Sequence, residues 1–217
     1  MSDTATRAMT WLIQLSDKDE NLREQIITQL TSAVSNASTT AVAAPTLAGT
    51  INGGDILVHA RCTDEDAGML RVSVDDVLAQ APVDSVDSVE YGATPPVGAA
   101  HLSGTRQTPP PTIYRALLLR VDDRATPEQI ARFERDLLLM PVHVTSIATW
   151  QLSHVTDAGG PTEWTHVWEQ TFTDLDGLRG QYMAHPIHWG VVDRWFDPEW
   201  PENIVVDRVA HSFCALG

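Results

Sequence analysis

The feature that most constrains the fold is the rhythm of residues 112–213. The run TIYRALLLRV (112–121) is apolar and β-branched enough for a buried strand. TPEQIARFERDLLLM (126–140) reads as a helix: Thr126 stands at its N-cap, Pro127 at its first position, and Ile130, Phe133, Leu137 and Leu138 form a one-sided apolar stripe. Two aromatic-rich runs, 145–155 and 163–172, flank TDAGGPT, whose glycines and proline suit a hairpin. Residues 174–185 predict a short helix, Pro186 opens a second helical stretch to about Phe196, and 202–213 closes with a strand. The order is β-α-β-β-α-β.

Residues 1–92 carry a fainter copy: strand 8–15, helix 18–33, strands 38–48 and 54–62, a weak helix 74–80 and a strand 83–91. TINGGD (50–55) reads as a turn within it. Between the copies, residues 93–111 are rich in Pro, Gly, Ala and Thr and predict a semi-extended linker, leaving a second unit at 112–217. A β-α-β-β-α-β unit makes a four-stranded antiparallel sheet with both helices on one face, so its other face needs cover. The sister repeat can supply it. The expected class is therefore α+β: tandem ferredoxin-like repeats packed sheet to sheet as an intrachain dimeric α/β barrel.

Composition narrows the function. With 43% hydrophobic and 20% charged residues the chain can pack a core without staples. The formal charge of −15 is shared, with 14 acidic and 6 basic residues before position 112 and 15 and 8 from there on. Neither half offers a basic face, which disfavours nucleic acid and anionic membrane as partners. Lys18 is the single lysine, so Schiff-base chemistry is not expected. Cys62 and Cys214 form no CxxC pair and read as reduced thiols. The apolar run near the N-terminus is too short for a signal peptide or a membrane span, and the expected location is cytoplasmic.

The chemistry concentrates in GQYMAHPIHWG (180–190), where Tyr182, His185 and His188 advance by threes and fall along one side of a helix. His166 lies in the run 163–172, and the period of two puts Trp164 and Trp168 on its face. These residues suit a pocket for a flat, largely apolar ligand with a few polar handles. Histidine can remove a proton held between two carbonyls, and a tyrosine hydroxyl can donate to the oxyanion that develops. The alternative for each is structural: His185 before Pro186 as a helix junction, His166 as sheet packing, the tryptophans as core. His185 and His188 also have a metal spacing, with Glu169 as an imaginable third ligand, but Pro186 sits inside the pair and no metal is expected. His59, His101, His143 and His211 read as isolated, structural or solvated residues.

The phrases HVWEQTF, YMAHPIH and the final strand IVVDRVAHSF, in that order and spacing, resemble the stress-responsive dimeric α/β-barrel (Dabb) family. The resemblance covers residues 112–214; the corresponding part of the first half has neither the tyrosine nor the histidines. It implies a ligand-binding α/β barrel without metal or organic cofactor. By similarity to polyketide cyclases of the olivetolic acid cyclase type, it also implies Tyr182 and His188 as the catalytic pair. His185 and His166 fall on further histidines of the motif, and Arg115 stands where many members carry a histidine. Two alternatives accompany the expected aldol-type cyclisation or lyase step on an aromatic or poly-carbonyl molecule. They are a non-catalytic stress-responsive binding protein and a cofactor-free monooxygenase. Association of such pseudodimers into homo-oligomers is left open.

Overall fold

A computed structural model describes residues 6–93, 102–107 and 109–217. The first half runs β1 (Thr6–Leu15), α1 (Glu20–Ser35), β2 (Thr40–Pro45), β3 (Ile56–Thr63), α2 (Ala67–Leu78) and β4 (Val83–Gly92). A short β5 (Ser103–Thr105) follows. The second half runs β6 (Ile113–Val121), α3 (Pro127–Leu137), α4 (Leu139–His143), β7 (Ile147–Gly159) and β8 (His166–Phe172). Three short helical segments come next, Gly177–Tyr182, His188–Val192 and Asp193–Trp195, before β9 (Val205–Ala215) closes the unit. Both halves carry the expected β-α-β-β-α-β order. Local chemistry sets the helix starts: Asp19 accepts from the Leu22 N–H, and Thr126 and Gln129 cap each other reciprocally at α3.

All the strands belong to one antiparallel sheet in the order β2-β3-β1-β4-β7-β8-β6-β9, with β5 added to β7. The halves join where Ser88–Tyr91 of β4 pair with the far end of β7. At the other edge the loop after β2 pairs with β9 through isolated bridges at Thr46–Cys214 and Ile51–His211. The Ser212 hydroxyl donates to the Gly53 carbonyl beside them. The curled sheet thus closes on itself.

Alternation along the strands sorts the core into three clusters. Ala8, Leu12, Leu57, Tyr114, Ala116, Leu118, Val167 and Ala210 face the interior. Ile13, Val58 and Cys62 face α1 and α2. Leu117, Trp168, Phe172 and Phe213 face α3 and the 177–195 cover, with Phe133 and Tyr182 opposite. Each buried aliphatic or aromatic side chain contributes about 1.5–3 kcal/mol by leaving water.

Three details depart from the sequence-based expectation. Helix α2 begins at Ala67 rather than near 74, because Ala67, Leu70 and Val74 form one buried stripe. β7 extends to Gly159, past its pairing with β8, so what reads as a hairpin turn is largely strand paired to β4. The stretch read as linker contains β5, paired to β7. Gly104 there lies under Trp150, and an added Cβ would come within 2.2 Å of the indole. Residues 94–101 and 108 of that stretch lie outside the described residues, as does His101. Among the described residues, no helix is long and apolar enough to cross a membrane.

Candidate functional site

Under the cover of the second half, β8, β6 and β9 present Gln170, Arg115 and His211 on the helix-facing side of the sheet. Arg115 is the cross-strand partner of Gln170, while Trp168 and His211 flank the neighbouring Leu117. One Arg115 guanidinium nitrogen donates both to the Gln170 side-chain oxygen and, at 2.9 Å, to the Tyr182 hydroxyl. The same guanidinium lies 4.8 Å from the Tyr182 ring centre and 5.8 Å from that of Trp168. His188 meets the Tyr182 ring edge-on at 5.2 Å, and its Nδ1 lies 3.3 Å from Asp193 Oδ1.

The cover that holds Tyr182 and His188 is irregular because Gly177–Tyr182 and His188–Val192 are wound as π-helix. Gly177 sits so close to Ser146 that a Cβ would lie 2.6 Å from the serine Cβ. The Ser146 hydroxyl donates to the Gly177 carbonyl, and Gln181 accepts from the Ser146 N–H. These contacts fix the height of Tyr182 above the sheet.

Burial raises the Tyr182 phenol pKa above its usual value, partly countered by the charge and hydrogen bond of Arg115. Burial lowers His188, against the carboxylate of Asp193, and Arg115 lowers it further. His211 is pushed down to about 2 by burial, then by Arg115 and His188. At neutral pH both imidazoles are therefore uncharged and the phenol keeps its proton. The Arg115 Nε, Gln170 Nε2, Trp168 Nε1 and His211 Nε2 atoms are all buried without a hydrogen-bond partner among the described residues. The first three are N–H donors.

Of the residues singled out from sequence, Tyr182, His188, Arg115 and Trp168 come together here. His185 stands apart: its Nδ1 accepts the Ile187 N–H at 3.2 Å, capping the helical segment after Pro186. His166 lies at the opposite end of β8, edge-on to Phe133 and 3.4 Å from Glu134. Trp164 does not share the face of His166 and Trp168. It precedes β8, packs in the barrel interior and donates to Asp87, because the strand alternation begins only at His166. Glu169, imagined beside His185 and His188 as a ligand, also points inward. Gln170, His211 and Asp193 were not legible as site residues. Gln170 and His211 would have needed the register of β6 with its two neighbours, and Asp193 the course of the π-helical cover.

The interior holds a second polar cluster. Glu169 accepts from Tyr114 at 2.9 Å and from Arg61 at 2.8 Å, and lies 3.2 Å from His59 Nε2. Thr10 links His59 to Tyr91. Burial pushes His59 down to about 4. Burial acts to raise the Glu169 carboxyl, but His59, Arg61 and the two tyrosine hydroxyls hold it below its ordinary value. A cavity of about 400 Å³ opens beside this cluster, walled also by Val42, Trp150 and Leu216.

A closed antiparallel sheet of two ferredoxin-like halves, with a Tyr–Arg–His cluster under one helical cover, defines a tandem α/β-barrel protein. Residues 113–210, a little under half of the chain, match the family model of the stress responsive A/B barrel domain. An anthrone oxidase-like protein shares the fold with a TM-score of 0.66 at 10% identity, over 99% of this chain and 92% of that one. A variant of chlorite dismutase from Candidatus Nitrospira defluvii superposes with a TM-score of 0.58 at 9% identity, over 100% of this chain and 93% of that one. No curated protein sequence matches significantly.

Proposed function

We propose that the second half binds a small, flat, carbonyl-bearing molecule between sheet and cover and acts on it by acid–base chemistry, as in an aldol-type ring closure. The observation that carries this reading is the set of buried N–H donors on Arg115, Gln170 and Trp168 that find no acceptor among the described residues. A buried donor without an acceptor costs about 1–3 kcal/mol, and a carbonyl or carboxylate oxygen would relieve it. Because Tyr182 oxygen already accepts from Arg115, its own O–H is available to a substrate carbonyl. Asp193 at Nδ1 leaves His188 Nε2 to take the acidic C–H proton. The resulting enolate carbon attacks a second carbonyl, whose oxygen then takes up a proton. Trp168 would wall the pocket and His185 would hold the cover. The first half, without the motif, would serve as the partner that closes the barrel.

One observation favours a non-catalytic binding or structural role instead. Trp168, Phe172, Leu178 and Tyr182 fill the space between sheet and cover, and the cavity beside Glu169 reaches Gln170 but not Arg115, Trp168, Tyr182 or His188. Thermal-shift titration with salicylate and benzoylacetone separates the two. A saturable rise in Tm that Tyr182→Phe and His188→Ala both diminish supports the ligand site. Wild-type indifference to both probes favours the structural role.

A further inference from the structure

At the far end of β8, roughly 13 Å along the strand from Gln170, three side chains from three elements converge. Glu134 comes from α3, and His154 and His166 are directly opposed cross-strand partners on β7 and β8. Their ligand atoms all lie within 4.8 Å of one another. His154 Nε2 is 2.5 Å from Glu134 Oε1, His166 Nε2 is 3.4 Å from the same oxygen, and the two imidazole centres are 4.7 Å apart. We infer that Glu134, His154 and His166 form a site for a divalent metal ion of the zinc class.

The second observation concerns which nitrogen of His166 holds the proton. Its Nδ1 lies 2.8 Å from the Thr165 hydroxyl, which also accepts the Val121 N–H and donates to the Leu119 carbonyl. All three contacts are satisfied together only if His166 Nδ1–H is a donor, since the hydroxyl has one proton to give. The Nε2 lone pair then faces the Glu134 carboxylate. That nitrogen is buried without a hydrogen-bond partner among the described residues, on a side chain only 5% exposed. Two acceptors pointed at each other in a buried place are repulsive, and a cation between them reverses the sign. An oxygen acceptor at the remote imidazole N–H is also how metal-bound histidines are oriented.

Bond lengths of about 2.0–2.1 Å at tetrahedral angles put neighbouring ligand atoms about 3.3 Å apart, which the His166–Glu134 separation already meets. The His154 ring, 65% exposed, must swing out slightly and is free to do so. Two imidazole nitrogens and one carboxylate favour zinc-class ions over magnesium or calcium. The exposed side of His154 leaves a fourth position for water. The site is separate from the Tyr182–His188 cluster and stands whether or not that cluster is catalytic.

The test uses the full chain, stripped with chelator and titrated with Co2+ as a visible probe, then with Zn2+ and Mg2+. One Co2+ per chain with the d–d bands of a four-coordinate ion is expected, displaced by Zn2+ and not by Mg2+. Loss of an outer partner of a metal already costs roughly 10- to 100-fold in affinity. Glu134→Gln and His154→Ala, at partly solvated positions, are each expected to cost at least that, while His188→Ala leaves the affinity unchanged. Absence of the bands, unaltered affinity in Glu134→Gln and His154→Ala, or loss of binding in His188→Ala each overturns the assignment.

Discussion

Arg115 on β6 donates an N–H to the Tyr182 hydroxyl across 2.9 Å, tying the floor of the candidate site to its cover. Its bond to Gln170 fixes the guanidinium from the other side. Arg115→Met removes the donor that both oxygens share, so a loss of about 1–3 kcal/mol is expected. Urea unfolding of the variant measures it, and a change below the experimental error would show that the link is not structural.

Tyr182→Phe deletes the hydroxyl and keeps the ring. Its packing against Phe172 and Trp168 should survive, with stability within about 1.5 kcal/mol of wild type. Affinity for benzoylacetone should fall at least several-fold. Equal affinity in a folded Tyr182→Phe protein would remove the tyrosine from the proposed chemistry.

Stability should decline as pH falls from about 6.5. His59, His188 and His211 all titrate lower in the folded chain than in the unfolded one, with burial the first cause in each. Below the unfolded value near 6.5 the unfolded chain binds protons that the folded chain refuses, so the stabilisation is full above that pH and drains below it. Each such group contributes on the order of 1.4 kcal/mol per pH unit through its window, which for His59 reaches down to about 4. Chemical denaturation at pH 7.5, 6.0 and 5.0 reads the slope. A flat profile would mean that these imidazoles are not buried neutral.

Glu169→Ala leaves the Arg61 guanidinium facing the barrel interior without its carboxylate. The expected loss is about 3 kcal/mol, at the lower end for a broken buried pair because Arg61 stays partly solvated. In a chain of this length that corresponds to a fall in Tm of roughly 6–12 °C. Calorimetry decides it, and a shift under two degrees would show the interior cluster to be dispensable.

Gly177→Ala brings a methyl against Ser146 and must lift the cover, at a cost of about 1–3 kcal/mol. Gly180→Ala meets nothing within 4 Å and, as a helical glycine, should be neutral or stabilise by up to about 1 kcal/mol. Paired melts of the two variants make the comparison internal. The same response from both would mean that the Ser146 contact does not set the height of the cover.

Much of the C-terminal unit was legible because strand and helix periods are local. The Thr126–Pro127 start, the stripe through Phe133 and Leu137, and the phrase from Tyr182 to His188 need only neighbouring residues to be read. The face assignment failed at Trp164, because a period of two carries no information until the first paired residue of the strand is known. His211 read as an isolated histidine, yet the pairing of β9 with β6 sets it beside Leu117 and within the field of Arg115. Glu134, His154 and His166 were out of reach for the same reason: the register of β7 with β8 and the packing of α3 against them are not written in the spacing of these residues.

By itself the sequence determined the repeated β-α-β-β-α-β order, the resemblance of the second half and the candidate pair Tyr182 and His188, since each is written in spacings of a few residues. Tertiary structure decided the rest. It placed Arg115, Gln170 and His211 around that pair, turned Glu169 inward, and gathered Glu134, His154 and His166. Register between distant strands and the depth at which a side chain leaves water are long-range properties, and they set which polar groups meet and which protons they keep.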